Sequence, residues 1–300
     1  MEGASKKKMC KKTLTIFTPT YNRGYILQKL YKSLKKQRNI DFQWLIVDDG
    51  STDNTEQIVD TWIKENKIQI CYYKQENGGK QRAFNRGVNN AKTELFMCID
   101  SDEYLLEDAV EIILQQWKKI RKNKNLAGMV ALRGKTEDQP IGTYFPERIK
   151  ESSLGELYSS YHFKGDTELI YRTEILKEYP FWVAENEKFM GESYVYQQID
   201  QKYKLFILRK IVAVGEYLQD GYTHNVRRLI KENPISYTEL RRQSVIYAKN
   251  IKTRFYHTML CIVGCIMSKQ KVFSVAPYKT LAVLAYIPAR LVWLIYYKKV

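Results

Sequence analysis

The sequence predicts an α/β architecture: a mostly parallel sheet with helices on both faces, carrying a helical extension at its C-terminal end. Three observations predict it. Strand-like and helix-periodic segments alternate along residues 13–132. The strand segments are near-continuous apolar runs, as strands covered on both faces require. Polar residues gather where those runs end, at the sheet edge where open α/β proteins bind ligands.

The elements follow in order. Residues 13–18, Thr-Leu-Thr-Ile-Phe-Thr, read as a buried strand, and Ile26, Leu27, Leu30 and Leu34 then recur at helical spacing. Residues 43–47, Gln-Trp-Leu-Ile-Val, form a second strand running into Asp48-Asp49-Gly50-Ser51. Asp53 can cap the next helix, whose apolar face carries Ile58, Val59 and Trp62. A third strand is expected at 68–73, a helix at 80–91, and a fourth strand at 95–99 ending at Asp100-Ser101-Asp102. A helix from about 106 to 122 and a strand from about 127 to 132 complete the alternation. Residues 134–190 are irregular and read as loops and short strands that complete a site, before a helix from Ser193 to Tyr203.

The chain has 300 residues, enough for one large domain or two modest ones. Apolar residues make up 44% and charged residues 27%, which excludes a disordered chain. The net charge of +16 is uneven: residues 201–300 hold 18 Lys+Arg against 4 Asp+Glu, a net +14, while residues 1–200 carry only +2. A basic surface seeks phosphate, in nucleic acid or in anionic lipid. Five scattered cysteines, Cys10, Cys71, Cys98, Cys261 and Cys265, form no C-x-x-C pair, which argues against zinc and dithiol chemistry. Cys71 and Cys98 are expected to be buried. The basic tail 1–12 is followed by no apolar run long enough for a secretory signal, so the expected compartment is the reducing cytoplasm.

Three motifs carry chemistry. Asp100 and Asp102, two residues apart after a strand, face the same way if extended geometry persists. They would repel one another unless a cation sits between them, and hard oxygen ligands favour Mg²⁺ or Mn²⁺ bridged to phosphates. The competing reading is a polar turn that caps a helix. Asp49, at the end of the second strand, can accept from a base or ribose or can simply organise a turn. Asn77-Gly78-Gly79-Lys80-Gln81-Arg82 opens a helix with paired glycines and two cations, which suits phosphate, although it is neither a Walker A loop nor G-x-G-x-x-G.

The combination is more specific than its parts. Pro19-Thr20-Tyr21-Asn22-Arg23, Val47-Asp48-Asp49-Gly50-Ser51-Thr52-Asp53, Asn77 to Gly87, and Ile99-Asp100-Ser101-Asp102-Glu103 occur in this order at successive strand ends. This resembles the family 2 glycosyltransferases, strongly over residues 13–110 and more weakly to about residue 225. The resemblance implies the GT-A fold, a Rossmann-like sheet. Residues 226–300, beyond the readable resemblance, are expected from their basic and apolar character to form a helical membrane-associating region, while the resemblance implies a nucleotide-binding half at 13–110 and an acceptor and catalytic half at 111–225. It also implies site residues. Thr18, Pro19, Thr20, Tyr21, Asn22 and Arg23 would line the nucleotide pocket, with Asp49 on the base. Gly79, Lys80, Asp100 and Ser101 would lie near ribose and diphosphate, and Asp102 would ligate Mn²⁺ or Mg²⁺. The family's carboxylate base falls in Glu187-Lys188-Phe189-Met190-Gly191-Glu192; Ser193 stands where the commoner Gly-Glu-Asp form has Asp. Glu192 is the expected base and Glu187 the alternative, with Asp166 the fallback. Gly165-Asp166 and Gln219-Asp220-Gly221-Tyr222 also resemble features of capsule and wall-polymer members.

The implied reaction is inverting, metal-dependent transfer from a nucleotide-sugar, a UDP-sugar, to a glycan or lipid-linked acceptor. A divalent cation offsets the charge of the leaving diphosphate, and a carboxylate takes the acceptor proton. The apolar runs 255–267 and 281–297 are interrupted by Pro277, Pro288 and Arg290 and flanked by Lys298-Lys299. They suit an anchor lying on an anionic membrane surface, at the inner face of the cell membrane, better than a spanning helix. A packed helical subdomain or a homo-oligomer interface are the other readings. Nucleic acid is not expected, because the cations lie beside bulky apolar residues without a reader motif. Two other functions compete: a nucleotidyltransferase, disfavoured by Pro19-Thr20-Tyr21-Asn22-Arg23 in place of a Gly-rich loop, and a non-catalytic membrane scaffold that retains the nucleotide site.

Overall fold

The computed structural model describes residues 12–215 and 222–298. Residues 1–11, with Cys10, Gln219-Asp220-Gly221 and Lys299 lie outside it, as does the side chain of His224. The first half alternates as expected: β1 (Leu14–Thr20), α1 (Gly24–Lys35), β2 (Phe42–Asp48), α2 (Thr55–Glu65), β3 (Ile70–Lys74), α3 (Lys80–Asn90) and β4 (Leu95–Cys98). There follow β5 (Glu103–Leu105), α4 (Ala109–Ile120), β6 (Leu126–Gly134), β7 (Glu151–Ser152), α5 (Leu154–Ser159), β8 (Thr167–Arg172), α6 (Thr173–Glu178), α7 (Ser193–Ile199) and β9 (Lys204–Gly215). The chain continues through α8 (Tyr222–Glu232), α9 (Pro234–Tyr247), α10 (Ile251–Met267), α11 (Val272–Val275) and α12 (Lys279–Tyr296).

Among the described residues the strands form one sheet in the order β3-β2-β1-β4-β8-β6-β9-β5, with β7 beside β9. The half from β3 to β4 is wholly parallel. The other half is mixed: β8 runs antiparallel to both β4 and β6, and β5 and β7 run antiparallel to β9. The parallel run is therefore interrupted after β4 and resumes between β6 and β9. The reason is β8, which comes from the stretch read as irregular and enters the sheet between two strands of the alternating pattern.

Strand alternation divides the apolar residues between two cores. Leu14, Ile16, Trp44 and Ile46 face α1, α2 and α4, where Tyr31, Trp44 and Trp62 stack with ring centroids 4.3–6.1 Å apart. Phe17, Leu45, Val47 and Phe96 face α3, α6 and α7. Gly87 lets α3 settle on β1: a Cβ there would lie 2.4 Å from the Phe17 ring. Cys71 and Cys98 are partly buried against this second core.

The C-terminal helices are joined to that core by α9, whose Leu240 packs with Met190, Val195 and Ile199. Ser236 Oγ accepts from Ala184 N at 3.1 Å, and Gln243 Nε2 donates to Tyr194 O at 2.8 Å. Behind α9, α10 buries Ile262 and Val263 against Ala282, Ala285 and Ala289 of α12.

Candidate active site

The ends of β4, β6 and β8 and the start of α7 surround a cleft of about 670 Å³, lined among others by Lys80, Asp100, Asp102, Arg133, Asp166 and Glu192. Two sequence motifs more than ninety residues apart meet through Lys80. Its Nζ, at the first residue of α3, lies 2.8 Å from Asp100 Oδ2 and 2.9 Å from Glu192 Oε1. Burial opposes the ammonium charge, but these two carboxylates hold the Lys80 pKa well above its ordinary value. Burial likewise opposes ionisation of Asp100, and Lys80 outweighs it, so the Asp100 pKa is lowered. Asp102 differs. Burial and the neighbouring Asp100 charge raise its pKa, and it makes no ion pair among the described residues.

Those features fit a hard divalent cation at Asp100 and Asp102: oxygen donors at a strand end, one of them destabilised as an anion by its neighbour. No group of three His, Cys, Asp or Glu among the described residues is arranged to hold an ion. A cation here would complete its shell from phosphate oxygens and water, as Mg²⁺ sites commonly do.

The opposite wall carries Asp166, the fallback base, together with Arg133 and Glu168, which sequence reasoning did not single out. Arg133 Nη1 lies 2.8 Å from Glu103 Oε1 and 3.6 Å from Asp166 Oδ2, and its Nε donates to Glu168 Oε1 at 2.6 Å. Glu103 and Glu168 are buried, and burial raises both pKa values against the pull of Arg133. Asp166 is half-buried, the least buried member of the set, and lines the cleft. The available signal was a charged residue, Glu168 or Arg133, inside or ending an otherwise apolar strand run.

The first-strand motif and Asp49 do not line this cleft. Thr18 faces the core, where its Oγ1 accepts from Trp44 Nε1 at 3.0 Å, so its side chain does not reach a nucleotide pocket. Pro19 continues β1, and the Thr20 hydroxyl is buried without a hydrogen-bond partner among the described residues. Asn22, at φ 53°, joins two turns: its N–H donates to Ser51 Oγ and its Oδ1 accepts from Thr52 N, both at 2.8 Å. Tyr21 is half exposed, and Arg23, whose Nη1 donates to Tyr25 Oη, acts electrostatically on Asp100 and Asp102. Ser101 is buried in the turn after β4. Asp53 binds Thr55 N and Gly24 N, tying the starts of α1 and α2 together.

Asp49 and Gly79 are engaged with each other and with other parts of the chain. The Asp49 carboxylate accepts from Gln75 Nε2, Asn77 Nδ2, Gly78 N and Gly79 N at 2.7–3.2 Å. Four donors of the chain itself occupy its two oxygens. Gly79, at φ +94°, would with a Cβ come within 1.8 Å of Lys188 O. Its bareness accommodates the chain's own segment before Glu192, and its N–H is engaged by Asp49.

Glu187 and Glu192 part company. Glu187 is buried, and its two carboxylate oxygens accept from Ile235 N at 2.7 Å and Ser236 N at 2.6 Å, capping α9. In return Asn233 Oδ1 accepts from Lys188 N at 2.7 Å and Phe189 N at 3.0 Å. This reciprocal latch fixes the segment leading to Glu192, whose side chain is half exposed in the cleft. Glu192 precedes a helix of only seven residues, so Lys80 rather than a helix dipole supplies its positive neighbour.

Several known proteins resemble this chain in sequence or in fold. The glycosyltransferase GlyG of Streptococcus pneumoniae is 34% identical over 105 residues, 34% of each chain. Poly(ribitol-phosphate) beta-N-acetylglucosaminyltransferase TarS of Staphylococcus aureus is 28% identical over 180 residues, 58% of this chain and 30% of TarS. The chain thus spans about a third of either relative. The GalNAc(5)-diNAcBac-PP-undecaprenol beta-1,3-glucosyltransferase of Campylobacter jejuni is 24% identical over 76% of this chain and 73% of its own. The crystal structure of TarS 1–349 superposes with a TM-score of 0.59 at 18% identity, covering 92% of this chain and 80% of that one. Mannosyltransferase PcManGT of Pyrobaculum calidifontis, in complex with GDP-Man and Mn²⁺, does so with 0.56 at 15% identity, covering 97% and 82%. These likenesses show the GT-A fold. The family model described as Glycosyl transferase family 2 matches residues 15–180, more than half of the chain and all the strand ends that build the cleft, and the chain belongs to that family.

Proposed function

We propose that this glycosyltransferase moves a sugar from a UDP-sugar to a hydroxyl of a surface-glycan or lipid-linked acceptor, by a single displacement that inverts the anomeric centre. One observation carries the reading: Glu192, Asp100 and Asp102 meet at one cleft, with Lys80 between the first two. The acceptor oxygen attacks the anomeric carbon, its proton passes to the Glu192 carboxylate, and the bond to the diphosphate oxygen breaks with the electron pair leaving on the diphosphate. Lys80 orients Glu192 and offers an ammonium to the departing phosphates. Asp102, with Asp100, holds Mn²⁺ or Mg²⁺, which supplies Lewis-acid stabilisation of the leaving group when bound. Tyr21 and Arg23 contact the nucleotide. Asp49 contributes indirectly, by holding Gly78 and Gly79.

Neighbouring structures support the donor class: TarS has a complex with UDP-GlcNAc, and PcManGT one with GDP-Man and Mn²⁺. The poly(ribitol-phosphate) in the name of TarS and the undecaprenol-linked glycan in that of the Campylobacter jejuni relative support the acceptor class, and the undecaprenol lipid supports a position at the inner face of the cell membrane. The test is incubation with a panel of UDP-sugars, Mn²⁺ and candidate acceptors, following release of UDP. Release of pyrophosphate instead would make the protein a nucleotidyltransferase, and absence of any turnover with tight nucleotide binding would make it a scaffold.

A further inference from the structure

The outer face of α12 is built the wrong way round for a helix in water. Its inner stripe is small: Ala282, Ala285 and Ala289 are fully buried against α10. Its outer stripe is large and aliphatic, with Val283, Leu284, Ile287, Leu291 and Ile295 between 54% and 71% exposed. These residues recur at helical spacing, so the exposed surface is contiguous rather than scattered. Phe273 and Tyr278, on the approach to the helix, are also exposed.

Cations and aromatic rings surround the stripe. Arg290 and Lys298 lie 5.9 Å and 6.0 Å from the Trp293 ring centroid, and Arg254 lies 4.9 Å from that of Tyr278. Rings paired with cations at the edge of an aliphatic face match the headgroup level of a bilayer. The charge favours an anionic surface over a second copy of this chain, because two such faces would bring a net positive region against itself. Spanning is disfavoured as well. Although α12 is long and apolar enough by composition, its alanine stripe is closed by α10, and Pro288 and Arg290 lie within it.

The face is joined to the cleft. Val226 of α8 lines the cleft, and the next residue, Arg227, sets its guanidinium 5.3 Å from the Tyr296 ring near the end of α12. One helix wall thus separates the site of transfer from the apolar face.

We propose that α12 lies in the plane of an anionic leaflet, with Val283, Leu284, Ile287, Leu291 and Ile295 inserted among the acyl chains and the surrounding cations on the headgroups. This names the partner surface for the activity proposed above and rests on that reading only for its purpose. The experiment is flotation of the full chain with phosphatidylcholine vesicles, with and without about a third phosphatidylglycerol. Binding is expected on the anionic vesicles, weakened by high salt and released by alkaline carbonate. The double substitution Ile287→Glu with Leu291→Glu should lower the bound-to-free ratio by about tenfold or more, since both side chains lose apolar burial. Thermal melting and calorimetric UDP–Mn²⁺ binding should stay unchanged. If the double variant melts early, Val283→Ser with Ile295→Ser provides the milder test of the same stripe. Equal binding of wild type and a folded variant would overturn the proposal, as would resistance to carbonate, which marks a spanning helix. A dimer by light scattering that the variant abolishes, without vesicle binding, would assign the face to a second copy. Vesicle binding without UDP binding would sink the proposed activity and leave this inference standing.

Discussion

Exchanging Glu187 and Glu192 for glutamine tests whether one carboxylate caps α9 while the other serves as the proposed base. Glu187 is buried and accepts two short backbone hydrogen bonds at the start of α9, where Pro234 has no N–H and Ile235 and Ser236 offer the first free donors. Removing a cap costs about 1 kcal/mol, and each hydrogen bond to a charged group is worth about 1.5–3 kcal/mol. These terms overlap, so Glu187→Ala should cost about 3 kcal/mol. Glu187→Gln keeps one acceptor and loses the charge at the helix N-terminus, costing about 1–2 kcal/mol. At about 2–4 °C per kcal/mol for a chain of this size, the alanine variant should melt about 6–12 °C early. The folded fraction should still turn over. Glu192→Gln should do the opposite. Its ion pair with Lys80 is half exposed on the Glu192 side and worth under about 1 kcal/mol, while loss of a general base costs about a hundredfold or more in rate. Thermal melting and UDP release at saturating donor, measured on the same preparations, decide the matter. A collapsed rate with unchanged melting in Glu187→Gln would refute the capping argument. A normal rate in Glu192→Gln would move the base elsewhere, first to Asp166 on the facing wall.

Other expectations follow from the same geometry. Asp102→Ala should abolish Mn²⁺-dependent UDP binding in calorimetry with the fold intact; unchanged binding would remove Asp102 from the metal site. Gly79→Ala forces a Cβ to within 1.8 Å of Lys188 O at φ +94°, and should destabilise by at least about 2 kcal/mol and disturb the segment leading to Glu192; a variant that melts normally would show that the segment yields. His257 is held neutral by burial and by Arg241, its pKa pushed down to about 4 from 6.5. As pH falls from 6.5 toward 4 the unfolded chain protonates first, so the stability linked to neutral His257 is present above pH 6.5 and lost in that window. Discounted for partial exposure, the loss is about 1 kcal/mol, and His257→Gln should flatten that part of the melting-temperature profile.

Much of the site was legible because strand ends are marked twice, by the end of an apolar run and by the polar residues that follow. That logic located Asp100, Asp102 and Lys80 on one edge. It did not foresee the four donors around Asp49, because a carboxylate at a strand end looks the same whether it faces a ligand or its own chain. It failed likewise to separate Glu187 from Glu192, five residues apart in one segment; the difference lies in α9, more than forty residues later, whose free N–H groups claim one of them. Arg133 and Glu168 were missed because their partners lie on different strands.

The sequence by itself determined the alternation of elements, the parallel half from β3 to β4, and the edge on which chemistry gathers, since each depends on local periodicity and on residues adjacent in the chain. Only the tertiary structure decided that β8 enters between β4 and β6, that Lys80 joins Asp100 to Glu192, and that α9 latches the segment between Glu187 and Phe189. Those are non-local pairings between segments with no common periodicity, and a buried charge finds its partner only when the packed chain removes water from around it.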